Sequence, residues 1–492
     1  MMCVGMFMAV LDVQVVATSL PTIQAALHIA REQMSWIQTA YFTAEVIAIP
    51  LTGFLTRMLS MRGLFVISVS LFTLASIGCA ESGSFGPLII WRVLQGLAGG
   101  TLIPTVFSAV ILLFPASGQA LATMFAGVLA LLAPTIGPFV GGWITSTYSW
   151  HWLFFINVGP GVVAAMVAVI TLPKAPYRFH EVRTLDFPGV LLIAVTLATL
   201  EVALKEAPAR GWLSPVVGGL LCLSAATACA FVRRSLLVPH ALIDLRHFTD
   251  RNFVIGCTLS FILGIALFST VYLMPAFLAF VRYHDALAIG SIMLVTGFAQ
   301  LLSAPLAVVL ERRLDTRLLS VLGFAALTIG LALSALQTPR SDYEELYWPQ
   351  IIRGVAFMFC LLPPTRLALG HLRADQVLDA SGLFNLMRNL GGAIGLALVD
   401  TVVYSRASVH ALTIAERLRA GDIETARLVG LPIARFVAQT NGPPNAMMEA
   451  MLRPYVEAAA MTQAINDGWL VITLLTATGL LALLFARRLP AE

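Results

Sequence analysis

The sequence is poor in charged residues. Only 11% of its 492 residues are Asp, Glu, Lys or Arg, whereas 59% are hydrophobic and the mean hydropathy is +0.88. A soluble domain carries roughly 25% charged residues, so this chain lacks the polar surface that a water-soluble protein needs. We predict an all-α integral membrane protein. The net charge of +4 then reflects an asymmetry between loops, and no nucleic-acid partner is expected.

Lysine and reactive motifs are scarce as well. The two lysines are Lys174 and Lys205, and neither follows a glycine, so the chain has no GxxxxGK[ST] loop and is not an ATP-driven pump of that type. The six cysteines contain no CxxC pair, and the histidines show no metal-ligand spacing, so we expect no cofactor and no metal. Neither a catalytic constellation nor a repeated selectivity filter is visible, which argues against an enzyme and against a channel.

Long apolar runs, by contrast, occupy most of the chain. A helix needs about 20 apolar residues to cross a bilayer, and fourteen runs approach that length. The seventh and eighth are the weakest, because Glu201 and Lys205 lie at the end of one of them. The predicted spans are 3–26, 35–56, 63–80, 87–113, 118–145, 151–173, 187–205, 213–232, 252–280, 286–310, 317–336, 346–369, 380–405 and 466–486.

Basic residues are distributed unevenly between the predicted loops. With the N-terminus inside, the inner loops carry the basic clusters within 57–62, 233–234, 312–317 and 487–488, whereas the outer loops carry only scattered basic residues. The positive-inside rule then places both termini in the cytoplasm.

Two segments of the chain resemble each other at an offset of 255 residues. Pro50–Arg62 and Pro305–Arg317 share a proline, three leucines and two arginines at matching positions. The following span in each half carries an arginine, Arg92 or Arg353, and then a Pro-Thr pair. Two related halves explain this pattern, and such repeats with a site between them are typical of secondary transporters.

The repeat divides the chain into three parts. We predict an N-terminal six-helix half over 1–175, an inserted pair of helices with flanking inner loops over 176–250, and a C-terminal six-helix half over 251–492. The last part includes a long outer loop over 406–465. Its mixed charges and helical spacing predict amphipathic helices that lie on the membrane or against a partner.

The fifth predicted span contains residues that helices usually avoid. Pro134 and Pro138 each remove a helix hydrogen bond and favour a kink. Gly137 and Gly141 are four residues apart and share one face, and Gly142 follows, so a neighbouring backbone can approach closely there. We predict a kinked, smooth-faced span that acts as a hinge between the halves.

Ionisable residues inside predicted spans are the candidate functional groups, because a charge in hydrocarbon is costly. Asp12, Glu45 and Arg92 lie within the first, second and fourth spans. We expect Asp12 and Glu45 to couple transport to protons, with Arg92 orienting them. Two alternatives stay open: Asp12 and Arg92 form a static pair that holds helices together, or Glu45 binds a cationic substrate.

Other polar residues within spans are candidates for the wall of a cavity. Two further acidic residues, Asp400 and Glu201, are interpreted as solvated groups at helix ends. The candidate cavity residues are Gln14, Gln95, Arg353, Asn385 and Arg388.

Several motifs resemble those of one transporter family, the fourteen-span drug:proton antiporters of the EmrB/QacA type in the major facilitator superfamily. The motifs lie along essentially the whole chain, and Asn385–Gly395 resembles the family's thirteenth-span pattern. They are Leu11–Ile23, Gly53–Gly63, Arg92–Gly96, Gly137–Gly142, Trp150–Asn157 and Asn385–Gly395.

The resemblance implies a major facilitator fold of two six-helix halves plus two inserted helices. It also implies proton coupling at Asp12, proton transfer through Arg92, and a cytoplasmic gate that contains Gly53, Arg57 and Arg62. The gating loop departs from the family pattern. Thr56 stands where an acid is common, and Ser60 replaces a glycine, which weakens the case for a charge-relay lock.

We therefore expect a proton-coupled antiporter that exports amphipathic drugs or toxic small molecules across the bacterial inner membrane by alternating access. It would use the proton gradient rather than a cofactor. The alternative is a proton-coupled exporter or flippase dedicated to one lipid, siderophore or metabolite. The resemblance to EmrB-like proteins also implies a periplasmic adaptor protein and an outer-membrane channel as partners, with 406–465 as a docking surface.

Overall fold

The computed structural model describes residues 1–29, 34, 36–178, 185–238, 243–311, 313–431, 436 and 446–486, and in these ranges the regular secondary structure is helical. The basic residues Arg312, Arg487 and Arg488, on which the orientation partly rests, lie outside the described residues. The helices are α1 Met2–Ala26, α2 Trp36–Ala80, α3 Phe85–Leu113, α4 Ala116–Thr147, α5 Trp152–Phe155, α6 Val158–Thr171, α7 Phe187–Arg210, α8 Pro215–Leu237, α9 Arg251–Phe280, α10 Ala286–Glu311, α11 Thr316–Ser334, α12 Tyr343–Leu369, α13 Ala374–Arg419, α14 Ile423–Leu428 and α15 Ala446–Leu483.

Helix α2 contains two membrane passages. Ser60 interrupts it with φ 61° and ψ 160°, which is not a helical conformation. The arms on either side run in opposite directions along α1. In the first arm, Gln38 donates to the Val13 carbonyl and Tyr41 to the Ala9 carbonyl, so its numbering falls as that of α1 rises.

The second arm runs the other way, so its numbering rises with that of α1. Phe65 lies near Gly5, where a Cβ atom would be 3.0 Å from its ring. Further along both helices, Ser76 and Asp12 accept hydrogen bonds from the same amide, that of Gln95. Eleven helices of the described residues are long and apolar enough to cross a membrane, with the bent α4 as a twelfth. The two arms of α2 count as two passages rather than one, and the 25-residue α1 adds another. The described ranges thus contain fourteen passages, which is the predicted number.

The helices pack as two bundles that meet along a seam. The first bundle contains α1 to α6 and the second α9 to α13 with α15. Across the seam, α4 packs against α10, and α13 packs against α2 and α3. Apolar clusters fill each bundle, and another lies between them where Phe54, Phe253 and Phe384 are buried.

The inserted helices α7 and α8 form a hairpin beside the seam. Asp186 caps α7 by accepting from the Gly189 amide at 3.0 Å, and it also accepts from Arg234 of α8 at 2.6 Å. One carboxylate thus ends a helix and ties the two helices together. Helix α7 contacts both α2 and α13, so the inserted pair touches both halves.

The predicted outer loop 406–465 is largely a continuation of membrane helices. Helix α13 extends to Arg419 and α15 begins at Ala446, while residues 432–435 and 437–445 lie outside the described residues. Leu418, Phe436 and Val456 share a small apolar core with α14. Helices therefore occupy the described parts of this segment, and their apolar faces pack against one another.

Candidate functional site

An ion pair between Asp12 and Arg92 lies in the interior of the first bundle. An Nη1 atom of Arg92 donates to Oδ2 of Asp12 at 2.5 Å, and both side chains are fully buried. Arg92 also donates from Nε to the Ile37 carbonyl at 3.0 Å and from Nη1 to Gln95 at 2.7 Å. The pair therefore joins α1, α2 and α3.

A shell of neutral polar groups completes the coordination of Asp12. Its Oδ1 accepts from the amides of Gln95 at 3.0 Å and of Asn157 at 2.8 Å, and Ser76 accepts from Gln95 at 2.9 Å. The guanidinium of Arg92 lies 4.4 Å from the centre of the Tyr41 ring. Arg92 would thus keep two hydrogen bonds and an aromatic contact if Asp12 became neutral.

Glu45 occupies a different environment, in a cavity between the two bundles. Glu45 is 6% exposed, and its carboxylate makes no hydrogen bond or ion pair with any described residue. The cavity has two adjoining chambers of about 50 and about 60 Å³, which share Phe42, Glu45, Phe268 and Asn389. Such chambers hold a few water molecules but not a drug-sized ligand, which needs roughly 300 Å³ or more.

The first chamber contains two of the predicted cavity residues, Gln14 and Arg388, together with Pro134. Asn385 lies behind Arg388 and accepts from its Nη2 at 2.6 Å. The other two predicted cavity residues do not line it. Gln95 is fully buried because both ends of its amide bind within the shell of Asp12, and Arg353 lies inside the second bundle.

The second chamber contains Glu201 of α7. The interpretation of Glu201 as a residue at a helix end is wrong, because α7 continues to Arg210, and the half-buried Glu201 lines a chamber between the halves. The same interpretation fails for Asp400, since α13 continues to Arg419 and Tyr272 of α9 donates to the Asp400 carboxylate.

A larger apolar groove lies away from these charges. It measures about 520 Å³ and is lined by the ends of α1, α3 and α4, including the exposed side chains of Leu121 and Phe125. No ionisable side chain other than that of Cys3 lines it. Because its walls offer no polar recognition, the charged cavity at the seam is the better candidate for a transport site.

The two halves are tied together at the membrane face where α1 begins. Arg57 of α2 donates to both carboxylate oxygens of Asp379 in α13, at 2.7 and 2.9 Å. Gly53 permits this approach, because a Cβ atom there would lie 2.1 Å from Asp379. Ser108 of α3 and Ser381 of α13 are hydrogen-bonded at 2.6 Å. Of the predicted gate residues, Arg62 begins the second arm of α2 and is half-buried.

The bent helix α4 closes the seam toward the opposite face. Its two parts, on either side of residue 135, form an angle of 47°. Gly137 faces Gln14 of α1, since a Cβ atom there would lie 2.3 Å from that of Gln14. The contact with the other half is made instead by Phe139, whose backbone lies against Gly290 of α10.

Pro138, Gly141 and Gly142 lie within the same helix, and Gly141 accepts a hydrogen bond from the Thr145 hydroxyl. The smooth face at Gly137 thus packs against α1 of the same half, while Phe139 in the neighbouring turn contacts α10 of the other half. The two halves are therefore in contact toward both faces of the membrane.

Arg353 is the counterpart of Arg92 in the second bundle, but it has different neighbours. It is 1% exposed, donates to Ser334 at 2.9 Å and lies 4.7 Å from the centre of a Trp469 ring. Within the described residues no carboxylate lies within ion-pair distance, and its Nε has no partner. The repeat preserves the buried arginine but not the acid.

Sequence reasoning missed several members of the site. Ser76 and Phe268 carry no signal, because serine and phenylalanine are common in membrane helices. Asn157 ends the Trp150–Asn157 motif, and that position was the available clue. Asp379 lies just outside a predicted span, 322 residues from Arg57, and only the tertiary fold brings them together.

Fourteen passages in two bundles, with ionisable residues buried at and near their seam, define a secondary transporter. The sequence pattern of the Major Facilitator Superfamily matches residues 2–396. This chain belongs to the major facilitator superfamily.

Relatives narrow this assignment to EmrB-like proteins. The chain is 35% identical to the colistin resistance protein EmrB of Acinetobacter baumannii, over 95% of this chain and 91% of that protein. It is 31% identical to the multidrug export protein EmrB of Escherichia coli, over 82% and 79%. The fatty acid resistance protein FarB of Neisseria gonorrhoeae is 28% identical, over 84% and 82%.

Solved structures agree with the fold. The human organic anion transporter MFSD10 (TETRAN) superimposes with a TM-score of 0.60, over 96% of this chain and 97% of that one, at 14% identity. The proton:xylose symporter XylE gives 0.57, over 97% and 94%, at 12% identity. At these identities the likeness concerns the architecture alone.

Proposed function

We propose that this protein is a proton-coupled antiporter that exports amphipathic drugs or toxic small molecules across the bacterial inner membrane, with both termini in the cytoplasm. The observation that carries the proposal is the presence of two distinct buried acids. Asp12 is held by Arg92 inside one half, and Glu45, in the cavity between the halves, forms no ion pair with any described residue. Relatives named for multidrug export and for colistin or fatty acid resistance favour a broad substrate range over one dedicated metabolite.

The contacts of Asp12 offer a route from protonation to movement. A proton on Asp12 removes its ion pair with Arg92 and loosens the hold of α3 on α1. Two residues further along, Gln14 of α1 lies against Gly137 of α4. Helix α4 in turn contacts α10 of the other half through Phe139. In this mechanism the proton shifts α1 and α4 together, and the seam opens on one side.

Replacing Asp12 by Asn tests the coupling. We expect Asp12→Asn to abolish export driven by a pH gradient, because the amide cannot carry a proton across the cycle. The measurement is efflux in inverted membrane vesicles with a panel of anionic, neutral and cationic compounds. Asp12→Glu, which keeps a titratable group, should retain part of the activity.

Folding must be monitored alongside this comparison, since Asp12 accepts three side-chain hydrogen bonds. Size-exclusion chromatography and thermal unfolding of the purified variant serve as controls. A well-folded Asp12→Asn protein with normal gradient-driven export would refute the assignment and leave the Asp12–Arg92 pair as a static link.

We also propose that the segment 406–465 contacts a periplasmic adaptor, which would pass substrate to an outer-membrane channel. Its described helices share an apolar core of their own, apart from the cores of the two bundles. Because 406–419 and 446–465 continue those helices, the informative deletion removes 420–445 alone, replaced by a short linker. Undiminished export by cells carrying that deletion would exclude this surface as a required contact.

A further inference from the structure

We propose that the inserted helix pair is part of the transport site, where Glu201 of α7 and Glu45 of α2 together receive the positive charge of a cationic amphiphile. The inference rests on the proposed export function and names the charge class of a substrate. Glu201 reaches the site because α7 packs against one helix from each half, α2 and α13.

The chamber that contains both glutamates offers them little compensation. Its other walls are formed mainly by apolar side chains, with one amide from Asn389. Among the described residues, neither Glu45 nor Glu201 forms a hydrogen bond or an ion pair, whereas Glu206 on the same helix pairs with Lys205 and Arg210. Two carboxylates in apolar surroundings favour a ligand that supplies positive charge.

The basic residue of the cavity, Arg388, lies in the first chamber with Glu45 but makes its close contacts with other groups. Arg388 lines the adjoining chamber, donates to Asn385 and lies 5.7 Å from the centre of the Phe107 ring. It is not within ion-pair distance of Glu45. Among the described residues, the first chamber thus contains Glu45 and Arg388 without a close ion pair between them, whereas the second contains Glu45 and Glu201 without a basic residue.

Aromatic residues shared by the two chambers complete the recognition of such a ligand. Phe42 and Phe268 lie in the walls of both. Their rings can contact the apolar body of an amphiphile, and ring faces attract a cation. A ligand with its charge between Glu45 and Glu201 would extend past these rings as the cavity opens.

The test is equilibrium binding of tetraphenylphosphonium to the purified full-length protein in detergent. Glu201→Gln keeps the shape of the side chain and removes its charge, so we expect affinity to fall about tenfold. Glu45→Gln should have a similar effect. Glu201→Asp should stay closer to the unmodified protein, and Glu206→Gln, on the same helix outside the cavity, should bind normally.

Tetraphenylborate, which has the same shape and the opposite charge, separates charge recognition from a structural effect. Its affinity should be unchanged or higher in Glu201→Gln. Equal losses for both probes, or unchanged tetraphenylphosphonium binding by a folded Glu201→Gln protein, would overturn the proposal.

A second measurement uses the unmodified protein and does not depend on a variant that folds. Tetraphenylphosphonium should protect Glu201 and Glu45 from modification by a carbodiimide, as read by peptide mass spectrometry. Absence of protection at Glu201 contradicts the inference. Failure of the export function would appear differently, as a loss of gradient-driven efflux for every compound in vesicles, whatever the binding result.

Discussion

Arg92 and Arg353 occupy matching places in the two halves, yet within the described part of the chain Arg92 has a carboxylate partner and Arg353 has none. Arg92 holds Asp12 at 2.5 Å, whereas Arg353 relies on Ser334 and the Trp469 ring. A buried charge without a counter-ion contributes little to stability, and removing one member of a buried pair leaves the other uncompensated. The two arginines should therefore respond differently to the same replacement.

We expect Arg92→Met to lower the free energy of unfolding by about 3–5 kcal/mol, because it leaves Asp12 buried without its partner. Arg353→Met should cost no more than about 1 kcal/mol, since methionine fills most of the volume and leaves no acid behind. Thermal unfolding of the purified variants, followed by circular dichroism, measures both. Equal losses of unfolding free energy in the two variants would show that Arg353 has a partner of comparable strength.

At the scale of the element, the break in α2 depends on one residue with an unusual backbone. Ser60 has a positive φ of 61° with an extended ψ of 160°, a region occupied almost only by glycine. Its hydroxyl accepts from the Gly63 amide at 3.2 Å. The serine side chain thus supplies a hydrogen bond but strains the backbone. Ser60 is also the residue that replaces a glycine of the family pattern, so this replacement lies at the turn itself.

Ser60→Gly and Ser60→Ala separate these two effects. Both lose the hydrogen bond to Gly63, but only glycine relieves the backbone. We therefore expect Ser60→Gly to be more stable than Ser60→Ala by about 1–2 kcal/mol. Comparing their unfolding midpoints in the same detergent tests this difference, and equal midpoints would mean that the turn relaxes without cost.

At the scale of the whole molecule, the two halves touch toward both ends of their seam. Arg57 and Asp379 join the halves at the face where α1 begins, and Phe139 rests on Gly290 toward the other. Alternating access requires these contacts to break in turn. A covalent bond across one of them should therefore stop the cycle.

The serines 108 and 381 provide that bond, because their hydroxyl oxygens are 2.6 Å apart across the seam. In a cysteine-free background, the double variant Ser108→Cys/Ser381→Cys should form an intramolecular disulfide on mild oxidation and lose export. Reduction should restore it, and each single variant should be insensitive to oxidation. Continued export by the cross-linked protein would show that this face does not open.

The membrane class, the fourteen spans, the two-half organisation and the candidate pair Asp12 and Arg92 could be predicted from the sequence. Those predictions rest on composition, on a helix long enough to cross a bilayer and on motifs that are local in the chain. The position of Glu201 was misread, since hydropathy ended its span at 205 while the helix continues to Arg210. Hydropathy detects hydrocarbon contact, and it does not detect the end of a helix.

By itself, the sequence determined that the chain must cross the membrane repeatedly as helices, because buried backbone groups have no water to bind there. Only the tertiary structure decided which charges meet. It paired Arg57 with Asp379, separated Glu45 from the ion pair of Asp12, and placed Glu201 beside Glu45. Such pairings depend on how bundles distant in sequence pack, which the periodicity of a single helix does not specify.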